Sequence, residues 1–321
     1  MIIIILLILI ILLIILFIYG DKMFKTENFD SNNIKLAIHT IFLLKENIPF
    51  LREWIIYHLN LGIDKIYLYD NTGSVGRRGS TKDKNKYGVN FNDLIILNDD
   101  ELDTDMESII NDFPNKIVYV KWQPKDEKGN IIYGQIEGTY DYLDKYGKDN
   151  DFTAFIDTDE FLFSKNNINL KDYINKTNKD KYVIYQKKFM DRFCYKNKNV
   201  IEIDDCIEID TRQWGFKCII RNDKMTRNAP NTHFLTVSTK NIISCHEDDI
   251  RFNHYNVNLK QLDFMKGYFK KDSFEYSKDS SILRYKEHID KECNNKCGNY
   301  NKFIHEDKLT DTINQVCINL K

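Results

Sequence analysis

The sequence has no surplus of charge of either sign, with 46 Lys and Arg against 48 Asp and Glu in 321 residues. No field of one sign spreads over the molecule to draw in a polyanion, so nucleic-acid binding is disfavoured. The seven cysteines (Cys194, Cys206, Cys218, Cys245, Cys293, Cys297 and Cys317) lack the Cys-x-x-Cys pairs of a zinc ribbon. Cys293 and Cys297 are the only close pair, readable as a local disulfide in an oxidising lumen, half a metal site, or two unpaired thiols. There is no internal repeat, and nothing after Asn33 resembles an interdomain linker.

The amino-terminal segment lacks Lys and Arg before Lys22 and has no Ala-x-Ala ahead of a cleavage point. Residues 2–19 are one apolar run, long enough to span a bilayer at about 1.5 Å per residue. A retained signal anchor over residues 1–20 is expected rather than a cleaved peptide. Lys22 and Lys25 beside Asp21 and Glu27 leave the orientation open. The expectation is a single-pass membrane protein with its domain on the lumenal or extracytoplasmic side, where the sequon at Asn175 would be usable.

Residues 21–33 are polar and unpatterned, a short stem, and the folded domain is expected over residues 34–321. Its first half, residues 34–162, alternates between strand and helix patterns. An apolar, β-branched run at 34–44 reads as a buried strand. A helix follows, with Pro49 in its first turn, Leu51, Trp54, Ile55, His58 and Leu59 on one face, and Gly62 as its stop. His58, sharing that face, is read as structural. Further strands are expected at 66–69, 117–122 and 152–156, with a helix from about Ile132 to Tyr146. This order implies an α/β fold with a mostly parallel central sheet flanked by helices, whose ligands sit at the carboxyl ends of the strands. Residues 163–321 read as mixed, with strands at 182–186, 200–203, 216–221 and 234–237 and helices near 259–269 and after Ile282.

The acidic run Asp157-Thr158-Asp159-Glu160 leaves the strand ending at Ile156. Two carboxylates beside a buried strand are costly unless a cation or hydrogen bonds receive them. Hard oxygen ligands suit Mn²⁺ or Mg²⁺, and such an ion can bridge the phosphates of a sugar nucleotide. Asp-x-Asp alone is weak evidence, since Asp103 and Asp105 form another pair in this Asp-rich chain. Asp157 and Asp159 differ in lying between apolar residues. Lys217 and Arg221, alternating with apolar residues on an expected strand, share a face and could neutralise a leaving diphosphate, or simply line the solvent face of an edge strand. Arg77 and Arg78 in a Gly-rich loop would form a lid or a merely solvated loop.

Several segments together resemble glycosyltransferase family 92 and the related metal-dependent branch of family 2. They are Lys45-Glu46-Asn47 through His58, Leu61 to Asp64, Tyr67 to Asn71, Gly134 to Glu137, Phe155 to Leu162, Trp214 to Arg221, His233, His254-Tyr255 and Phe264 to Gly267. The resemblance implies the nucleotide-diphospho-sugar transferase fold termed GT-A, with residues 34–162 as the nucleotide-sugar half and 163–321 as the acceptor half. It implies inverting transfer of a hexose such as galactose from a nucleotide-diphospho-sugar to a glycan or glycoprotein, with Mn²⁺ or Mg²⁺. On matching positions, Asp70 would contact the base or ribose, or merely cap its turn. Asp157 would meet ribose or metal, Asp159 the metal, and His254, with His233 as second choice, would complete the coordination. An acceptor hydroxyl needs a base; Asp191 is the first choice and Glu247 the second. Trp214 is either an acceptor platform or a core residue. The rival readings are a non-catalytic glycan-binding protein of the same fold and an Asp-based phosphatase.

Overall fold

The computed structural model describes residues 34–74, 97–189, 199–208, 215–255 and 275–297. The apolar run at 2–19, Arg77, Arg78, Asp191, Trp214 and the helix expected at 259–269 lie outside them. Among the described residues no helix is long and apolar enough to cross a membrane.

Strand β1 (Leu36–Phe42) is wholly buried and lies between β2 (Lys65–Asp70) and β4 (Phe152–Phe155), parallel to both; β3 (Ile117–Lys121) extends the sheet beyond β2. Helix α1 (Leu44–Asn60) joins β1 to β2, α2 (Asp99–Asp112) precedes β3, and α3 (Gln135–Tyr146) joins β3 to β4. The alternation of side chains along β1 divides the core between two faces. Leu36, Ile38 and Phe42 pack with Leu51, Trp54 and Ile55 of α1, whereas Ala37 and Ile41 pack with Tyr142 of α3. Met106 and Ile109 of α2 belong to the α1 side. Thus α1 and α2 cover one face of the sheet and α3 the other.

The later strands carry the sheet onward. β8 (Phe216–Arg221) lies antiparallel between β4 and β6 (Lys181–Phe189). The far half of β6 pairs with β10 (Arg251–Tyr255), which runs antiparallel to β5 (Glu160–Phe163). β7 (Asp205–Glu208), β9 (Ile242–Ser244) and β11 (Glu275–Lys278) complete the pairing, with α4 (Leu170–Thr177) and α5 (Lys286–Cys293) outside it. The result is a mixed α/β fold whose first half is parallel.

Four expectations change. Helix α1 starts at Leu44, so Pro49 falls beyond its first turn; the Leu44 N–H is held by Asp70 Oδ1 at 3.3 Å and Thr72 Oγ1 at 2.9 Å, which lets the helix begin directly after β1. Helix α2 was not anticipated, although Asn98 and Glu101 form a reciprocal capping box ahead of Leu102, Met106 and Ile109. Residues 200–203 are not a strand: the N–H groups of Val200 and Ile201 turn inward to the Glu53 carboxylate, and a 3-10 turn results. Residues 234–237 form only a lone bridge, Val237 to Met225, in a loop held by Asn228 and Asn231. Cys293 and Cys297 are joined as a disulfide, while the Cys206, Cys218 and Cys245 thiols are buried.

Candidate active site

In the order β3-β2-β1-β4 the chain first builds away from β1 on one side and then returns to add β4 on the other. The carboxyl ends of β1 and β4 therefore lie side by side where the strand order reverses, and such a crevice is where open α/β sheets bind ligands. A cleft with about 280 Å³ of empty space open to solvent lies there, lined by His39 and Ile41 of β1, Phe155 and Asp157 at the end of β4, Gln135 of α3, and Lys217 of β8, among others.

The acidic turn 157–160 links β4 to β5. Lys217, buried on β8, donates to Asp157 Oδ2 at 2.6 Å and lies 3.2 Å from Glu160 Oε2, which also accepts the Asp157 N–H at 2.8 Å. On the other side of the turn, His254 Nε2 stands 3.4 Å from Asp159 Oδ2, and its Nδ1 is 2.9 Å from Gln186 Oε1. An amide oxygen only accepts, so Nδ1 carries a proton and Nε2 is left facing the carboxylates. Asp159, Glu160 and His254 each offer a ligand atom, all within 4.8 Å of one another. Two carboxylates and a convergent imidazole, oriented from behind by Gln186, make a donor set that fits a divalent transition-metal ion.

Burial and neighbouring charges pull against each other across this set. Burial pushes the Glu160 carboxyl up to about 7, with Lys217 pulling against it. Burial acts in the same sense on Asp157, but there Lys217 prevails and holds it below the usual carboxylate range. His254 is raised because Asp159 outweighs the cost of burial. Lys188, in register with His254 and buried, is lowered to about 8 by desolvation, with Asp159 opposing.

The turn is positioned by α1. Trp54 Nε1 donates to the Glu160 carbonyl at 2.8 Å, Tyr57 OH donates to the Leu162 carbonyl at 2.6 Å, and the Leu162 N–H donates to His58 Nε2 at 3.2 Å. Burial lowers the His58 pKa to about 3, so its ring is neutral, donating from Nδ1 to the Trp54 carbonyl. His58 is thus a structural residue that stitches β5 to α1. Thr158 adds a bond of 2.8 Å to Asn47 Oδ1.

Of the expected metal ligands, the structure brings Asp159 and His254 together, adds Glu160, and commits Asp157 to Lys217 instead. Asp70 lies at the same carboxyl edge, on β2, but its carboxylate is occupied. Oδ1 accepts from Leu44 N, Thr72 N and Thr72 Oγ1, and Oδ2 accepts from Tyr119 OH, so it caps a turn. Arg221 is not at the site. Antiparallel pairing puts it opposite Phe152, at the amino end of β4, where it is bound to Asp180 at 2.9 Å; Cys218, next to Lys217, lies opposite Phe155. His233 is exposed, with Nδ1 3.2 Å from the Phe216 carbonyl, and is not in the ligand group. Glu247 is likewise exposed and outside that group. Sequence reasoning placed Glu160 in the acidic run without giving it a ligand role, and gave none to Gln186 or Lys188. The available signal was Gln186 at the end of the strand expected over 182–186, with Lys188 two residues on in the observed strand.

No protein-family model matches the chain, and no curated protein matches it, so the resemblance to family 92 rests on its residues alone. Among solved structures, S. aureus TarS 1–349 aligns at 11% identity over 89% of this chain and 71% of that chain, with a TM-score of 0.37. The same fragment in complex with UDP-GlcNAc aligns at 8% identity over 81% of this chain and 70% of that one, with a TM-score of 0.35. A UDP-glucose pyrophosphorylase complexed with UDP-glucose aligns at 11% identity over 81% and 97%, with a TM-score of 0.28. Scores this low leave function to be judged from the chain's own residues.

Proposed function

We propose that the chain is a metal-dependent glycosyltransferase that moves a hexosyl group, with inversion, from a nucleotide-diphospho-sugar to a glycan or glycoprotein acceptor. The observation that carries this reading is the convergence of Asp159, Glu160 and His254 beside the crevice between β1 and β4. Those three residues would hold the ion. The imidazole favours Mn²⁺ over Mg²⁺, which takes oxygen ligands. When bound, the ion supplies positive charge for the donor's diphosphate. Lys217 keeps Asp157 ionised and fixed at the edge of the cleft, where its side chain is 44% exposed and able to accept from a hydroxyl of the donor. Asp191 remains the proposed base. Anchoring through residues 2–19 and a lumenal or extracytoplasmic domain belong to the same proposal, supported by the length of that run and by the Cys293–Cys297 bond, which suits an oxidising compartment.

The test is a donor screen. The full chain, in a detergent without a sugar head group, is incubated with a panel of nucleotide-diphospho-hexoses and Mn²⁺, and free nucleoside diphosphate is measured. Release from at least one donor, abolished by EDTA and by Asp159→Ala, is expected. Absence of release and of donor binding across the panel would overturn the proposal.

A further inference from the structure

Among the described residues three large hydrophobic side chains are exposed: Tyr133 at 37%, Phe234 at 51% and Ile242 at 45%. Two of them border the cleft beside Asp157. Gly134, with φ +48°, turns the chain from Tyr133 into α3, and a side chain there would come within 2.9 Å of Pro124. This turn sets Tyr133 next to Gln135, which lines the cleft. Opposite, the loop 228–234 runs along α3, with the Ala229 N–H bonded to Tyr140 OH at 3.1 Å, and brings Thr232 to the cleft wall. Phe234, two residues on, packs edge to face on Phe216 at 5.0 Å, and Phe216 precedes Lys217.

The polar groups between these aromatics form one chain without charge. Thr232 Oγ1 donates to Gln135 Oε1 at 3.4 Å, and Gln135 Nε2 donates to Tyr133 OH at 2.7 Å. The Tyr133 hydroxyl therefore receives a bond and keeps its own proton to give. Burial, reinforced by Asp157, raises its pKa, so that proton stays on across the physiological range. His39 lines the same cleft with a buried Nε2 that has no partner among the described residues, and burial lowers its pKa to about 3, which makes it a neutral group.

Exposed aromatic side chains beside uncharged hydroxyl, amide and imidazole groups match a sugar ring, which has an apolar face and a rim of hydroxyls; a phosphate would call for cations, and the one cation among the lining residues, Lys217, is already engaged by Asp157 and Glu160. Position decides which sugar. The triad of Asp159, Glu160 and His254 is built from β5, its preceding turn and β10, and β5 is stitched to α1 on one face of the sheet. The packed side of α3, with Ile136, Tyr142 and Leu143, belongs to the opposite face, and Gln135 is the first residue of that helix. In an in-line displacement the acceptor must approach the anomeric carbon from the side away from the diphosphate. We propose that the cleft between the amino end of α3 and the 231–234 loop is the acceptor subsite, taking a neutral pyranose ring that stacks on Phe234 and bonds to Tyr133, Gln135 and Thr232. The term acceptor rests on the transferase reading; binding of the ring does not.

The experiment is saturation-transfer NMR on the full chain in a detergent without a sugar head group. The probes are methyl galactopyranoside, glucopyranoside and mannopyranoside, with EDTA present and no nucleotide. Saturation of ring protons in at least one probe is expected, weakened about fivefold by Phe234→Ala, as loss of one aromatic stacking contact implies, and reduced again by Tyr133→Phe. Phe234 is half exposed, and Tyr133→Phe keeps the ring, so both variants should fold; circular dichroism checks this. Three results would overturn the proposal: no probe saturated by wild type, saturation unmoved by Phe234→Ala, or a Phe234→Ala effect confined to the hexosyl protons of a nucleotide-diphospho-hexose. The last would give the ring to the donor. A failed donor screen alongside normal probe binding would reject the transferase reading and leave the sugar site standing.

Discussion

Glu53 lies on α1, 1% exposed, with Oε2 accepting the Val200 N–H at 2.8 Å and Oε1 the Ile201 N–H at 3.0 Å. Burial pushes its carboxyl from 4.5 to about 7; the two N–H bonds pull it back, and the Glu202 and Asp290 carboxylates push it further up. The folded protein therefore keeps this proton between pH 4.5 and about 7, whereas the unfolded chain has lost it. Where the folded state binds more protons, stability falls as pH rises, by about 1.4 kcal/mol per pH unit for one group. Over that interval the loss is about 3 kcal/mol, complete by pH 7 and constant above it. Glu53→Gln keeps the shape and removes the titration. Other carboxylates bend both stability curves alike, and any fixed cost of the amide only offsets one of them. The difference, Glu53→Gln minus wild type, should rise by about 3 kcal/mol from pH 4.5 to pH 7 and then level off. Urea unfolding followed by tryptophan fluorescence measures it. A flat difference curve would refute the claim that burial of Glu53 outweighs its hydrogen bonds.

Four further outcomes are expected. Asp159→Ala should abolish the Mn²⁺-dependent rise in melting temperature while leaving the circular dichroism spectrum unchanged; a retained shift would remove Asp159 from the ligand set. Gln186→Leu, which frees the His254 ring from its orienting amide, should weaken Mn²⁺ binding about tenfold by isothermal titration. Lys217→Met should cost about 3 kcal/mol in urea unfolding, mainly through Glu160, whose side chain is 2% exposed, because solvent screens the more open Asp157. Trp54→Phe deprives the Glu160 carbonyl of its donor and should cost about 1 kcal/mol; Mn²⁺ affinity should fall with it if α1 positions the turn.

Much of the first half was legible because its patterns are local. The apolar run of β1, the face of α1 and the stop at Gly62, where φ is +98°, each follow from residues close in the chain. Helix α2 was legible too, through its capping box, but Asp103 and Asp105 drew notice only as a chance Asp-x-Asp pair rather than as part of a helix. The failures at 200–203 and 234–237 are of another kind. Val200 and Ile201 look like strand residues, and what bends them is Glu53, about 150 positions away in the chain. No local pattern reports a bond of that range.

The site divides along the same line. That Asp159 needs a cation or hydrogen bonds follows from acids leaving a buried strand, a local fact. Which residues converge with it depends on register. The pairing of β10 with β5 sets His254 opposite Glu160, and its pairing with β6 sets His254 beside Lys188. A slip of one residue would turn His254 to the other face and leave the triad without its imidazole. Arg221 shows the converse, since it shares a strand face with Lys217 yet lies four residues along β8, roughly 13 Å from it at about 3.3 Å per residue. Sharing a face was readable from the sequence, but the end of the strand at which chemistry gathers was not. That was decided by β8 running antiparallel to β4, so that its amino end, and Lys217, meets the carboxyl end carrying Asp157.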